Sequence, residues 1–359
     1  MKRILIMDTG SFRVFGGAAK TAYDTYQYFR EMGYKVDLFG DFSPIDRKIK
    51  TVREEELRTG IYDVVMLNSV RDIPVVEKRL LGNSGRTVFV YTDRGNLLNN
   101  FKNAGIKRLL PKMIVRYYLM RRMRRWLGYY VALTAEQEEL ARMFFARNTK
   151  IVFIPNWYSK RFGVERGLRK EKCAIYVGRL DERQKKVSFL IKGISEFIKE
   201  NPGLKDCRIL RIVGGGPDEE RYTGLSESLG LSKNIEFIKF APEGDLIRLY
   251  NEALFFVSVS EWEGMAGTFV EAMACGLPLL INQYNNTVLS KKPLKSLVED
   301  GYNGLIYEYG SIRSFCSEFG RLYLDSGFRK KLAENSLKFS SEFALEKSLR
   351  KYREIVERI

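Results

Sequence analysis

Short apolar runs alternate along the first part of the chain with longer segments in which apolar positions recur at helical spacing. Runs that are apolar on both faces and separated by helical segments are typical of buried strands in a parallel sheet. The runs predicted to be strands are Arg3–Met7, Tyr62–Leu67, Thr87–Tyr91, Tyr129–Leu133 and Ile151–Ile154. This alternation predicts βα units in the first half of the protein.

The alternation stops between Asn156 and Lys172, where the chain is polar and basic and has no clear period. A second series follows, with predicted helices at Phe189–Glu200 and Asp245–Asn251 and a purely helical pattern from Phe328 onward. Its predicted strands are Ala174–Val177, Arg208–Val213, Ile235–Phe240, Leu254–Val257 and Leu279–Ile281.

The two series predict an α/β fold with two doubly wound, Rossmann-like parallel-sheet domains that face a cleft. The predicted domains are residues 1–160 and 173–335, joined by a linker at 161–172 and followed by a terminal helix at 336–359. Ligands of such domains bind at the carboxyl ends of the strands, so we expect the functional residues to follow strands.

The composition is that of a globular protein, with 45% hydrophobic and 29% charged residues. The first apolar run ends at Asp8, too early for a signal peptide, and no run approaches the roughly 20 residues that cross a bilayer. The four cysteines are too widely spaced for a disulfide framework or a metal site and are expected to be small buried residues in a reducing compartment. A cytoplasmic protein is expected.

Histidine does not occur in the sequence. Imidazole general bases, Ser-His-Asp triads and histidine-ligated metals are therefore excluded. Any acid–base chemistry must come from carboxylates, lysine, tyrosine or the substrate itself.

The net charge of +17 is concentrated in the first half of the chain: residues 1–165 contain 30 basic and 17 acidic residues, a net +13. Part of this charge lies in the stretch Lys112–Tyr130, which mixes six basic residues with aromatic and aliphatic ones. Its most clustered residues are Arg121, Arg122, Arg124, Arg125 and Trp126. An ordinary helix with its apolar face in the core, an anionic membrane surface and a nucleic-acid patch are the three interpretations, and nucleic acid is the least favoured.

The stretch Ser260–Pro278 carries the most specific chemistry, because it places Glu263 and Glu271 on either side of a glycine-containing turn that opens a predicted helix. A helix start offers amides and partial positive charge to a phosphate. Carboxylates accept hydrogen bonds from the paired hydroxyls of a sugar. A sugar nucleotide carries both kinds of group.

Two glycine-rich turns and one basic loop follow predicted strands. Gly16-Gly17 lets amides approach a phosphate closely, although a plain tight turn is the alternative. The run from Gly214 to Pro217 lacks the third small residue of a dinucleotide site, so nicotinamide chemistry is not favoured. Arg179 and Lys185 follow the strand Ala174–Val177 and could neutralise a diphosphate leaving group, or could belong to a solvated loop.

Taken together, these residues resemble glycosyltransferase family 4, a group of retaining glycosyltransferases with the GT-B fold. The family pattern of two glutamates eight positions apart, followed by Ala-Met-Ala, Gly and Pro, is matched by Glu263, Glu271, Ala272–Ala274, Gly276 and Pro278. Further landmarks occur in the expected order: Ile154-Pro155-Asn156, Val177–Leu180 with Lys185, Gly214–Pro217 and Gly301–Gly304. The resemblance is stronger in the C-terminal half of the chain than in the N-terminal half.

The resemblance implies transfer of a sugar from a nucleoside-diphosphate-sugar to an acceptor hydroxyl, the acceptor being a glycan or a lipid-linked molecule. It implies that Arg179 and Lys185 bind the donor diphosphate, that Glu271 binds the ribose and that Glu263 binds the transferred sugar. It implies further donor contacts from Gly16, Gly17, Gly214, Ala266, Gly267 and Thr268. It also implies that the terminal helix crosses back to the first domain, and that neither metal nor cofactor is needed.

The chain departs from the family pattern at two positions. Many relatives carry a histidine after the fourth strand of the first domain, where this chain has Thr92 and Asp93, and either could take over its contact with the sugar. Lys186 stands where relatives often have Gly or Asn. A nucleotide-sugar epimerase of the same fold, and a basic module that binds membrane or nucleic acid without catalysis, are the alternative functions.

Overall fold

The computed structural model describes residues 2–9, 17–43, 45, 48–82, 87–94, 117–145, 148–291 and 294–359. The chain divides into two compact units. Unit 1 comprises Met1–Asn156, Leu289–Lys291 and Leu345–Ile359, and unit 2 comprises Trp157–Val288 and Lys292–Ala344.

In the described part of unit 1, six parallel strands form one sheet with the order β2-β1-β3-β4-β5-β6. The strands are β1 (Arg3–Asp8), β2 (Lys35–Gly40), β3 (Val64–Leu67), β4 (Val88–Thr92), β5 (Leu127–Ala132) and β6 (Lys150–Phe153). The helices are Gly17–Glu31, Ile73–Arg79, residues 117–123, Ala135–Phe145 and Leu345–Glu357. All residues of β3 are buried, as expected for a central strand that is covered on both faces.

The main sheet of unit 2, as far as the structure describes it, also has six strands, with the order β14-β11-β10-β7-β8-β9. These strands are β7 (Ala174–Val177), β8 (Leu210–Val213), β9 (Ile235–Ile238), β10 (Phe256–Val257), β11 (Leu279–Asn282) and β14 (Gly304–Tyr307), while β12 (Val288–Lys291) pairs with β13 (Leu294–Ser296). The helices are Glu182–Lys185, Val187–Glu200, Glu219–Ser228, Glu243–Glu252, Gly267–Ala274, Ile312–Leu324 and Ser326–Ser340. The predicted α/β class with two parallel, Rossmann-like sheets is confirmed.

The main-sheet strands missed by the sequence analysis, β2 and β14, lie at sheet edges. Only one of the six residues of β2 is fully buried, because the strand alternates apolar residues with Lys35 and Asp37. An edge strand keeps one side toward solvent, so its sequence lacks the continuous apolar run that identified its neighbours.

The predicted linker packs against unit 2. The ring of Phe162 is buried and lies 6.1 Å from that of Tyr250, centroid to centroid. Asn251 accepts a hydrogen bond from the amide of Glu165 (2.8 Å) and donates one to the carbonyl of Gly163 (2.9 Å). The boundary between the units accordingly lies at Asn156, before the predicted linker.

The terminal helical segment is two helices that belong to different units. Ser326–Ser340 is part of unit 2, and Leu345–Glu357 is part of unit 1. The last helix buries Leu349, Tyr352 and Val356, which recur at helical spacing on one face. Tyr352 Oη lies 2.9 Å from Thr92 Oγ1 at the end of β4, which ties this helix to the sheet of unit 1.

No helix in the described ranges combines the length and the apolar character that a bilayer span requires.

Candidate functional site

The candidate site in unit 2 centres on the loop that leads from β10 into the helix Gly267–Ala274. In the first turn of this helix, the amide of Phe269 donates a hydrogen bond to the carbonyl of Ala266 (3.2 Å). The amides of Gly267 and Thr268 precede it, as in the first turn of any helix. A Cβ on Gly267 would meet no described heavy atom within 4 Å, so the helix starts beside open space.

Buried asparagines at the end of β11 and just after it hold this loop from one side. Asn282 Nδ2 donates to the carbonyl of Ser260 (2.7 Å), and Asn285 donates to the same oxygen. Thr287 Oγ1 donates to the carbonyl of Gly264 (2.8 Å). Since Asn282 and Asn285 are buried, these bonds fix the loop without a ligand, and such preorganisation is what a binding site needs.

The short helix Glu182–Lys185 holds the same loop from the other side. The amide of Glu261 donates to the carbonyl of Gln184 (2.7 Å), and Gln184 Nε2 donates to the carbonyl of Trp262 (3.1 Å). Lys186 Nζ lies 3.0 Å from Glu261 Oε2. Backbone and side-chain bonds thus join two loops that are far apart in the sequence.

Lys185 and Glu263, both predicted to contact the donor, form an ion pair with each other. Their side chains are 18% and 9% exposed. A pair with so little exposure is screened weakly by water, so each charge orients the other. The structure therefore brings a predicted phosphate-binding cation and a predicted sugar-binding carboxylate together in unit 2.

Lys186 adopts a left-handed backbone conformation, with φ of 48° and ψ of 37°. No other non-glycine residue in the described ranges has a positive φ. This conformation costs a residue with a Cβ roughly 1 kcal/mol, whereas glycine adopts it freely and asparagine tolerates it. The Gly or Asn that the family pattern often has at this position would therefore fit the left-handed backbone conformation better than lysine does.

Arg179 lies just after β7, and its Nη2 atom is 3.4 Å from Asp181 Oδ2. Arg183 binds the same carboxylate at 3.1 Å. The hydrogen bond from Arg183 lowers the pKa of Asp181, which keeps this carboxylate charged. The side chain of Arg179 is 48% exposed, so the guanidinium is both anchored and open to solvent.

Glu271 lies in the second turn of the helix Gly267–Ala274 and is only 8% exposed. Burial raises the pKa of the Tyr250 phenol, and the nearby charge of Glu271 raises it further. Glu271 therefore lies beside Tyr250. The carboxylate is therefore set back from the surface, below the start of the helix.

The glycine run 214–216 has a structural reason. A Cβ on Gly214 would lie 2.1 Å from the carbonyl oxygen of Gly178, and one on Gly216 would lie 2.2 Å from that of Leu180. Gly215, by contrast, would meet nothing closer than 3.5 Å. Gly214 and Gly216 are required because this turn packs on the loop that carries Arg179; the predicted donor contact of Gly214 remains a prediction.

In unit 1, Gly16 lies outside the described residues, and Gly17 is the first residue of the helix Gly17–Glu31. Asp93 is fully buried and accepts a hydrogen bond from Tyr130 Oη (2.6 Å). Burial, and then the charge of Asp93, raise the pKa of Tyr130. The carboxylate of Asp93 therefore has a partner inside unit 1, and its predicted contact with the transferred sugar stays a prediction.

The predicted basic patch is divided between surface and core contacts. Arg121, Arg124 and Arg125 are exposed. Arg122 is paired with Glu77, which Trp126 Nε1 also approaches at 3.4 Å, while the ring of Trp126 packs edge-on against Phe89 (5.1 Å). Arg122, whose side chain is 39% exposed, and Trp126 thus also make contacts within unit 1, and the role of the patch stays a prediction.

Sequence reasoning missed the residues that position the site. These are Asp181, Gln184, Glu261, Asn282, Asn285 and Thr287. The sequence offered one signal for them, the asparagines Asn282 and Asn285 at the end of a strand, because asparagine amides at such a position can bond a neighbouring loop.

Comparisons with known proteins point to one family. The family model described as glycosyl transferases group 1 matches residues 162–339. The D-inositol 3-phosphate glycosyltransferase of Acidothermus cellulolyticus is 27% identical over 183 residues, which cover 49% of this chain and 39% of that protein. The alpha-monoglucosyldiacylglycerol synthase of Acholeplasma laidlawii is 30% identical over 142 residues, which cover 39% of this chain and 33% of that protein. The aligned region spans less than half the length of these curated relatives.

Solved structures resemble the whole chain. The sucrose-phosphate synthase from Thermosynechococcus elongatus matches with a TM-score of 0.80 at 15% identity, covering 100% of this chain and 99% of that one. Anabaena HepE, solved in complex with UDP-glucose, matches with a TM-score of 0.75 at 17% identity over 100% of both chains. At such identities the likeness shows the fold, and the predicted GT-B class is confirmed.

Proposed function

Since the chain belongs, through residues 162–339, to the glycosyl transferases group 1 family, we propose that it transfers a sugar from a nucleoside-diphosphate-sugar to an acceptor hydroxyl with retention of anomeric configuration. The observation that supports this most is the ion pair of Lys185 with Glu263, a residue of the loop that leads into the helix Gly267–Ala274. One small region of unit 2 thereby offers a cation and a helix start for phosphate, and carboxylates for hydroxyls.

Each proposed role follows from the chemistry of the group. The amides of Ala266, Gly267 and Thr268 bind the donor phosphates at the positive end of the helix. Glu271 is set back by one turn and accepts hydrogen bonds from the ribose, and Glu263 accepts them from the transferred sugar.

The proposed reaction takes place on one face of the sugar. The bond between the anomeric carbon and the β-phosphate oxygen breaks, and the acceptor oxygen bonds to the same face of that carbon. The departing phosphate takes the acceptor proton, so no imidazole base is needed. Arg179 and Lys185 stabilise the negative charge that develops on the phosphate.

These cations do in this proposal what a divalent ion does in other sugar-nucleotide enzymes, and transfer therefore proceeds without metal. Turnover that is unchanged after EDTA treatment and gel filtration supports this part, and turnover that needs added Mg²⁺ or Mn²⁺ refutes it.

Donor consumption and nucleotide binding test the function. A panel of nucleoside diphosphates and their sugars is screened by thermal shift, since a ligand that binds the folded state raises the melting temperature. We expect Glu271→Ala to abolish the shift given by the best nucleotide, and Arg179→Gln to lower turnover about 100-fold, or about 2.7 kcal/mol. Arg183→Gln is the matched control, since Arg183 binds the same Asp181 carboxylate but its side chain is 82% exposed. Undiminished binding and turnover in the first two variants would refute the proposal.

Incubating the donor without acceptor distinguishes a transferase from an epimerase of the same fold. An epimerase would produce the epimer of the intact nucleotide-sugar. The transferase instead releases nucleoside diphosphate.

An exposed aromatic and basic surface in unit 1 favours one accessory function, contact with an anionic membrane that carries a lipid-linked acceptor. Tyr117 and Met143 are 55% and 79% exposed, and the ring of Phe144 contacts both Tyr117 (5.8 Å) and the guanidinium of Arg124 (5.7 Å). Rings and basic groups side by side suit a lipid headgroup region.

Sedimentation with vesicles tests the membrane contact. We expect binding to vesicles of phosphatidylcholine with phosphatidylglycerol, little binding to phosphatidylcholine alone, and loss of binding when Arg121, Arg124 and Arg125 become Gln. Equal binding by this variant refutes the contact. Salt-sensitive binding to DNA without any nucleotide-sugar response would favour the nucleic-acid module instead.

A further inference from the structure

A groove of about 630 Å³ in unit 1 lies apart from all residues assigned above. It runs between the second half of the helix Gly17–Glu31 and the segment 48–50. The helix contributes Tyr23, Tyr26, Arg30 and Glu31 to its lining. A concave surface of this size is within the range that holds small ligands.

One wall of the groove is aromatic. The rings of Tyr23 and Tyr26 stack with their centroids 6.1 Å apart and an angle of 28° between their planes. The two rings give this wall, which we call the platform, an apolar aromatic surface that carries phenol hydroxyls. A pyranose ring suits such a platform, because it has a flat face of C–H bonds and a periphery of hydroxyls.

The same groove carries positive charge. Arg30 Nη1 donates to Tyr26 Oη (2.8 Å), and its guanidinium lies 5.3 Å from the centre of that ring, so the cation is held at the platform. Lys48 and Lys50 also line the groove, against a single carboxylate, Glu31, in the lining that the structure describes. Neither Arg30 nor Lys50 forms an ion pair with another described residue. Cations in a concave site favour carboxylate or phosphate ligands.

The groove lies at a distance from the helix start. Tyr23 and Arg30 follow Gly17 by 6 and 13 residues, which corresponds to about 9 and 20 Å along the helix axis. A ligand in the groove is therefore several sugar rings away from Gly17, the residue for which the resemblance implies a donor contact.

We infer that this groove binds an anionic saccharide, a stretch of the acceptor that carries carboxylate or phosphate groups away from the hydroxyl that receives the sugar. This inference rests on the proposed function, and it names the acceptor class: a charged glycan chain with several sugars.

Direct binding of defined saccharides tests the inference without any turnover. The probes are tetragalacturonate, its neutral size match maltotetraose, and mannose 6-phosphate, each measured by titration calorimetry at low salt. We expect tetragalacturonate to bind, maltotetraose to bind at least about tenfold more weakly, and the affinity for tetragalacturonate to fall by about tenfold or more in Tyr26→Ala and in Arg30→Gln with Lys50→Gln. Lys35→Gln is the matched control, because Lys35 is exposed and lies outside the groove lining.

Three results overturn the inference. The first is that neither charged probe binds, and the second is that the groove variants bind tetragalacturonate as tightly as the wild type does. The third is that only mannose 6-phosphate binds, because the ligand would then be a single phosphosugar and not a chain. Nucleotide-induced thermal shifts are measured on the same variants. A normal nucleotide shift with no saccharide binding refutes the groove and leaves the transferase; a missing nucleotide shift in the wild type refutes the proposed function itself.

Discussion

Lys185 and Glu263 are 78 residues apart in sequence and form an ion pair whose two side chains are largely withdrawn from solvent. The pair joins the short helix Glu182–Lys185, which follows β7, to the loop after β10. In the proposed reaction the two partners have separate tasks, one toward phosphate and one toward sugar, so their mutual attraction holds both in place before the donor binds.

A double-mutant cycle measures this coupling. We expect Lys185→Ala alone and Glu263→Ala alone each to lower the free energy of unfolding by about 1–3 kcal/mol, because each leaves a poorly solvated charge without its partner. The double variant should lose less than the sum of the two. Urea unfolding gives the coupling energy, and strictly additive losses would show that the pair does not act as a unit.

In the glycine run 214–216, Gly215 is the control for substitutions of its two neighbours, because only Gly215 has room for a Cβ. Gly214→Ala and Gly216→Ala place a methyl group about 2 Å from a backbone carbonyl oxygen, so we expect each to lower the free energy of unfolding by about 3 kcal/mol or more. Gly215→Ala meets nothing closer than 3.5 Å and should change it by less than about 1 kcal/mol. Thermal unfolding of the three variants checks the order; equal losses would contradict the packing described.

Lys186 allows the left-handed backbone conformation to be isolated from the ion pair with Glu261. Lys186→Gly and Lys186→Ala both remove that pair, so the difference between them reports the backbone. With φ of 48°, we expect the Gly variant to be more stable than the Ala variant by about 1 kcal/mol. At an ordinary helical position Ala is the more stable of the two, and finding that order here would contradict the assigned conformation.

Asp72 gives a pH dependence. It is fully buried and accepts hydrogen bonds from the amide (2.9 Å) and hydroxyl (2.7 Å) of Thr9, and burial raises its pKa to about 6. The folded state therefore binds the proton more tightly than the unfolded state, where an aspartate titrates near 3.9. Its contribution to stability is complete below about pH 4 and is lost by about pH 6, a fall of about 3 kcal/mol.

The check for Asp72 is the difference in unfolding free energy between the wild type and Asp72→Asn across that pH range. We expect the wild type to lose stability relative to the variant as the pH rises. A constant difference, or a relative gain by the wild type, would contradict the raised pKa.

The sequence predicted the interior of both sheets, because strands such as β3 are apolar on both faces and leave a continuous run. It did not predict β2, whose half-exposed residues lack that run. The residue types of the proposed donor site could be predicted from their positions after strands and at a helix start. The pairing of Lys185 with Glu263 could not, because it depends on how two segments that are distant in the sequence meet.

The side-chain partners of Asn282 and Asp93 could not be predicted from the sequence, for a similar reason. Asn282 was missed because asparagine after a strand is also common in plain turns; here its amide bonds the carbonyl of Ser260. The resemblance predicts that Thr92 or Asp93 contacts the sugar in place of a histidine, and in the structure the Asp93 carboxylate accepts a hydrogen bond from the hydroxyl of Tyr130 in the core. A strand end locates a residue along the chain, but its side-chain partner is set by tertiary packing.

Proton NMR of donor breakdown in the absence of acceptor, where water takes the acceptor's place, decides whether the protein is a retaining transferase that uses a nucleoside-diphosphate-sugar. Across a panel of α-linked nucleoside-diphosphate-sugars, we predict that one donor is consumed, that the sugar first appears as its α anomer before mutarotation, and that Arg179→Gln slows its release while Arg183→Gln does not. Initial appearance of the β anomer, or a panel from which no donor is consumed, would refute the proposed reaction.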